Sequence, residues 1–205
     1  MIRVIDYGLG NVSAFLSVYK ALNIEVGLAR HAADLEDATK LVLPGVGAFD
    51  HAMRTLDGSG MRDTLDELVL GRKLPVLGVC VGMQILARAS EEGEATGLGW
   101  VDARVKGLRS LSGAGLLLPH MGWNNVQPVE GHPLFSGLAP DAFFYFLHSF
   151  YLDCARAQDV VALTDYGSNF SCAVQVGNIY GVQFHPEKSH LAGVQLLKNF
   201  ADLAC

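Results

Sequence analysis

Cys80 stands between Gly78 and Gly82 in the stretch PVLGVCVGMQ (75–84). Pro75, Val76, Leu77 and Val79 read as a buried strand and GMQILARA (82–89) as a helix, so G-x-C-x-G marks a sharp strand-to-helix turn of the nucleophile-elbow kind. Such a turn holds its central residue at strained φ/ψ and lifts the thiol above the sheet. There, nearby helix N–H groups favour thiolate over thiol. Small residues on either side keep neighbouring side chains from colliding with it. The N–H of Val81 is placed to meet a developing oxyanion, a contact worth roughly 3–4 kcal/mol where one has been measured. Taken alone, the stretch also fits an incidental cysteine in a glycine turn, because a lone Cys is usually a small buried hydrophobe.

A nucleophilic thiol needs a base, and the base needs a group to orient it. Among seven histidines, His185 follows the apolar run IYGVQF and precedes Pro186 and Glu187. In a parallel sheet the C-terminal strand ends gather along one edge, so Cys80 and His185 can meet there although far apart in sequence. Glu187 can accept the second imidazole N–H, fixing the tautomer and favouring the imidazolium. A capping or partly exposed His-Pro turn is the alternative. HPE also matches half of a zinc deaminase signature, but the P-C-x-x-C half is missing, so no metal is expected.

These residues need a scaffold that brings strand ends together, and the first half of the chain supplies one. IRVID (2–6), IEVGLA (24–29), KLVLPG (40–45) and PVLGVC (75–80) read as strands of near-continuous apolar residues. Helices separate them: one that Asn11 caps, with Val12, Phe15, Leu16, Tyr19 and Leu22 at helical spacing, and one between about residues 50 and 70. That alternation predicts an α/β fold with a mostly parallel, doubly wound sheet flanked by helices. The second half adds strands joined by turns at residues 143–152, 160–166 and 172–184, with Gly177-Asn178 as a hairpin turn. Leu191, Val194, Leu197, Phe200 and Leu203 form a closing amphipathic helix. PHMGWNN (119–125) reads as a Pro/Gly-rich loop whose Met121 and Trp123 either face another protein or fold back as local core.

The 205 residues suit a single domain, 1–205, and half of them are apolar, enough for a core. A net charge of −6 without a Lys/Arg cluster argues against a nucleic-acid or membrane surface. No segment reads as a targeting peptide or a membrane span, so the expected location is cytoplasmic. Cys154, Cys172 and Cys205 form no C-x-x-C and read as small buried apolar residues.

Taken together, G-x-C-x-G and the distant H-P-E resemble the class I (triad-type) glutamine amidotransferases. IDYGLGN (5–11), LPGVGAF (43–49), GLGW (97–100), LPHMGWNNV (118–126), YFLHSFY (145–151), TDYG (164–167) and GVQFHPEKS (181–189) narrow the resemblance. They are similar to the family of glutaminase subunits of imidazole glycerol phosphate synthase, and the likeness runs almost end to end. It implies a flavodoxin-like sheet and a Cys80/His185/Glu187 triad that hydrolyses L-glutamine through a thioester. It implies no cofactor. Gly45, Val46 and Gly47, with Val81, match the oxyanion segment, whose glycines let a peptide flip. Gln84, Ser149 and Phe150 match the residues that hold substrate glutamine. Asn11, His120, Met121, Trp123 and Asn124 match the face toward a partner, a (β/α)8-barrel cyclase in a heterodimer. That cyclase uses the ammonia to make imidazole glycerol phosphate and AICAR in histidine biosynthesis. Val81 replaces a commoner Leu and Phe150 a commoner Tyr, which removes a hydroxyl. A paralogous glutaminase feeding another synthase, a catalytically silent partner-binding domain and a stand-alone cysteine hydrolase are the alternatives; an intact triad speaks against the second and the PHMGWNN loop against the third.

Overall fold

The computed structural model describes residues 1–112 and 115–204, so Cys205 lies outside the described residues. β1 (Ile2–Ile5) runs into α1 (Val12–Ala21), where Asn11 Oδ1 caps the helix by accepting the Ala14 N–H at 3.3 Å. β2 (Val26–Ala29) and β3 (Lys40–Gly45) follow. The expected helix near residues 50–70 is divided at its Gly-Ser-Gly sequence into α2 (Phe49–Gly58) and α3 (Arg62–Asp66). β4 (Val76–Cys80) then turns directly into α4 (Val81–Gln84). Beyond it come β5 (Ala89–Ser90), β6 (Ala103–Gly107), α5 (Arg109–Ser112), β7 (His120–Asn125) and β8 (Gln127–Pro128). β9 (Phe143–His148), β10 (Phe150–Cys154), β11 (Val160–Asp165), β12 (Asn169–Val176), β13 (Ile179–Val182) and α6 (His190–Asp202) complete the chain.

Eight strands form the main sheet in the order β2-β1-β3-β4-β13-β12-β11-β8. Pairing is parallel from β2 to β13 and antiparallel from β13 to β8, as the sequence pattern predicts. Every residue of β3, β4 and β13 is buried, which is why these runs show no polar alternation. α1 packs on α6, and α2 on α4. Gly177, at φ 57°, makes the tight hairpin that sets Val176 opposite Ile179.

Five expectations are corrected. The helix after Cys80 stops at Gln84, because the carbonyls of Ile85, Leu86, Ala87 and Arg88 accept from Leu98, Val101, Gly99 and Gly97 at 2.8–3.0 Å. Ile85–Ala87 are buried on all sides, a pattern that a buried helix would share. Residues 143–152 form two strands: β9 pairs with β7 and β10 with β6, and Ser149 is the corner between them. PHMGWNN is largely strand β7, with Met121 and Trp123 outward and His120 inward. On α6 the buried stripe is Gly193, Leu196, Leu197 and Phe200, whereas Leu191 is 86% exposed. Cys172 is buried, but Cys154 is only half-buried.

α6 is tied down by a polar contact within its apolar stripe. Asn199 Nδ2 donates to the Leu134 and Ser136 carbonyls at 3.0 and 2.7 Å. Replacing Asn199 with Leu keeps the bulk and strands both acceptors, so equilibrium denaturation is expected to register a loss of about 1–3 kcal/mol. An unchanged midpoint would show that water takes over both bonds.

Candidate active site

The sheet order makes neighbours of three strand ends. Gly45, at the end of β3, lies opposite Cys80 at the end of β4, and Val182, closing β13, lies opposite Val79. His185 follows three residues after β13, and its N–H donates to the Tyr145 carbonyl at 2.8 Å. Cys80 adopts φ 55°, ψ −115°, a conformation that a non-glycine residue holds only under strain from its surroundings.

The flanking glycines serve the turn in a different way from the one expected. A Cβ on Gly82 would sit 1.9 Å from the Leu43 carbonyl oxygen, and one on Gly78 would sit 2.7 Å from the Gly82 oxygen. The missing side chain of Gly82 lets the elbow press against the β3 backbone, and that of Gly78 lets α4 fold back close over β4. Upstream, Tyr7 donates its hydroxyl to the Pro44 carbonyl at 2.9 Å and fixes the peptide plane before Gly45. Val46 and Gly47 beyond it are exposed, with Gly47 at φ 88°, so freedom to turn an N–H falls on them.

Cys80, His185, Val81, Gln84, Ser149 and Phe150 open onto one cleft of about 300 Å³, and Val46 and Gly47 line its rim. The volume suits a small ligand. His185 Nδ1 pairs with Glu187 Oε1 at 2.9 Å, and the Glu187 side chain is 2% exposed. Burial works against the imidazolium, but the hydrogen bonds and charges of Cys80 and Glu187 outweigh it and raise His185 from 6.5 to about 9. The second carboxylate oxygen, Oε2, is buried without a partner, so His185 is the group that compensates this carboxylate. A cysteine sulfur, an imidazole and a carboxylate in this order can run nucleophilic acyl transfer.

Two groups in the cleft escape the sequence reading. Glu92 lines it, with Oε2 accepting the Phe49 N–H at 2.8 Å, and Lys188 lines it near the Tyr145 ring. Behind the cleft, Gln183 is fully buried and its Nε2 lies 3.7 Å from Cys80 Sγ. Two-residue spacing from His185 at the end of an apolar run is the signal that could have found it. Gln84 is buried too, and its Nε2 donates to the Phe150 carbonyl at 3.1 Å and to Gln183 Oε1 at 3.0 Å. Both of its protons are committed, which leaves Oε1 to meet a donor.

The expected partner-facing residues divide. Met121 is 65% and Trp123 48% exposed, beside exposed Leu147 and Leu191. Asn11 is exposed at its helix cap. His120 is a correction: it is 2% exposed and stacked between Phe146 and Tyr166, so it does not present itself to a partner. Asn124 is half-buried, with Nδ2 donating to the Asp165 carbonyl at 2.7 Å. Among the described residues no group of His, Cys, Asp or Glu is arranged to hold a metal ion, and no helix is long and apolar enough to cross a membrane.

The model of the glutamine amidotransferase class-I family matches residues 3–203. Imidazole glycerol phosphate synthase subunit HisH of Bdellovibrio bacteriovorus is 56% identical over 99% of this chain and all of its own. The protein of the same name from Leptospira interrogans is 50% identical over the same shares. In shape, a crystal structure of a glutamine amidotransferase aligns with TM-score 0.75 at 20% identity, covering 98% of this chain and 99% of its own. A glutamine amidotransferase from Thermotoga maritima aligns with TM-score 0.62 at 20% identity, covering 91% and 75%.

The His185 shift sets a pH dependence. A folded-state value above 6.5 means that the interaction stabilises the fold fully below pH 6.5 and is lost as pH rises through about 9. Denaturation midpoints are expected to fall across that window. Glu187→Gln removes one of the groups raising His185 and should begin the fall at lower pH. A flat profile across the window would contradict the pairing.

Proposed function

The chain belongs to the glutamine amidotransferase class-I family, and on that premise we propose that it is the glutaminase subunit of an imidazole glycerol phosphate synthase. The observation that carries the chemistry is the cleft that Cys80 shares with the His185–Glu187 pair, at the ends of adjacent parallel strands. Relatives 40–56% identical over nearly the whole chain carry the synthase assignment.

L-Glutamine enters the cleft with its side-chain amide toward Cys80. Glu92 and Lys188 give a zwitterionic amino acid one charge of each sign to meet, and Gln84 Oε1, Ser149 and Phe150 hold the same end. The Cys80 thiolate adds to the amide carbon, and the oxyanion takes N–H donors from Val81 and from the Gly45–Gly47 segment, which turns to supply one. His185, oriented through Nδ1 by Glu187, gives its proton to the departing nitrogen, and ammonia leaves. Water then loses a proton to the neutral imidazole and attacks the thioester carbonyl. The C–S bond breaks, glutamate leaves and the Cys80 thiolate is restored beside the re-protonated His185.

The exposed row of Met121, Trp123, Leu147 and Leu191 borders this cleft, because Met121 pairs with Leu147 and Leu147 lines it. This face, with Asn11, Asn124 and the buried support of His120, receives a (β/α)8-barrel cyclase in a heterodimer. The ammonia passes to it without meeting bulk water. Free ammonia is largely protonated near neutral pH and is then no nucleophile. The complex works in the cytoplasm.

Glutamate release measured with the cyclase partner and its nucleotide ligand is expected to be strong, and with the chain alone weak. Cys80→Ala should remove at least about a thousandfold of it while the complex still assembles. Retained glutaminase activity in that variant would end the assignment.

A further inference from the structure

The Cys80 sulfur has a donor behind it as well as a base beside it. Gln183 is 0% exposed and directs Nε2 at Sγ from 3.7 Å, while its Oε1 accepts from Gln84 Nε2 at 3.0 Å. The other Gln84 proton goes to the Phe150 carbonyl at 3.1 Å, and that carbonyl also meets His148 Nδ1 at 2.8 Å. A carbonyl can only accept, so His148 carries its proton on Nδ1. Burial drives the imidazole toward the neutral form, which leaves Nε2 bare.

His120 Nδ1 lies 2.9 Å from that bare Nε2, so His120 is the donor there. Its own Nε2 is then the acceptor for Asn124 Nδ2 at 3.3 Å, and Asn124 also donates to the Asp165 carbonyl at 2.7 Å. Two runs of bonds therefore converge on the Phe150 carbonyl, one from Asn124 on β7 and one from Gln84. Turning any of the three amides over, or moving either ring proton, would set donor against donor or acceptor against acceptor, which is costly where water cannot help.

We propose that Gln183 is a positioning residue for the Cys80 thiolate, its donor aimed by Gln84, whose amide the Phe150 carbonyl holds in one orientation. This rests on the reading of Cys80 as the nucleophile. An N–H aimed at sulfur favours the charged form over the thiol. The Phe150 carbonyl, by fixing Gln84, keeps that N–H from turning away. Gln183 is a buried polar group that neither the triad nor the substrate contacts require.

The test reads the sulfur without glutamine or partner: the rate of Cys80 alkylation by iodoacetamide against pH, followed on the Cys80 peptide by mass in the full chain. Gln183→Met removes the donor without adding charge, and Gln183→Glu keeps the shape and turns the donor into an acceptor. Both should move the midpoint of the profile up by about one pH unit or more, with Glu the larger. Gln84→Met, which removes the donor that holds Gln183 Oε1, should move it the same way by less. A wild-type midpoint in Gln183→Glu would overturn the role of Gln183, and a wild-type midpoint in Gln84→Met would overturn its aiming by Gln84. Glutaminase activity surviving in Cys80→Ala would strike the functional reading and leave this measurement intact.

Discussion

The parallel pairing of β4 with β13 is the constraint on which the site depends. Its register sets Val79 against Val182, so Cys80 emerges one residue past that pair on β4 and His185 three past it beyond β13, on the same edge. Side chains alternate along a strand, so a one-residue slip would turn the sulfur or the imidazole to the wrong face. β3 on the other flank brings Gly45 opposite Cys80, and the glycine contact between the elbow and Leu43 fixes how close those backbones come. Position is therefore set by the sheet. The loops only shape what enters.

Such a site costs stability that the rest of the fold must supply. A non-glycine residue held at φ 55° forgoes about 1–3 kcal/mol. A carboxylate buried with one oxygen unpartnered is a further liability, which the neighbouring imidazolium offsets. The His185 turn is held rigid from outside to keep that compensation in place. Its N–H binds Tyr145, its carbonyl accepts from Ser189 Oγ at 2.5 Å, and the same Oγ accepts the Tyr145 N–H at 3.0 Å. β9 thus braces the base through its backbone.

What the sequence made legible follows from what governs each element. The parallel core could be read because its strands are buried on both faces, and the elbow and His-Pro-Glu turn because few residue types fit those positions. The helix end at Gln84 could not be read, because the partners that stop it come from residues 97–101, and Ile85–Ala87 are apolar whichever structure they adopt. The break at Ser149 was hidden inside a continuous aromatic run, since β9 and β10 have different pairing partners but similar composition. His120 looked like part of an exposed loop because its segment is rich in Pro, Gly and Trp. Only the pairing of β7 with β9 shows that alternate residues turn inward. Gln183 lay in a motif already quoted, unnoticed because a glutamine between apolar residues carries no chemistry until its neighbours are known.

The placement of apolar surface joins these pieces. Met121 and Trp123 point away from β7 while His120 and Asn124 point back into it, so one strand presents a face and anchors a buried hydrogen-bonded row behind it. Leu147, opposite Met121, belongs both to that face and to the cleft wall. Apolar residues at a cleft mouth are unfavourable while wet, and covering them removes water from the chemistry behind them in the same step. In the dry cleft the thiolate, the imidazolium and the buried carboxylate interact more strongly, and ammonia released there meets no bulk proton source. A partner seated on β7 and β9 would therefore gain binding energy from the event that makes the site effective. That is why surface a solitary protein would bury lies at the rim of this cleft.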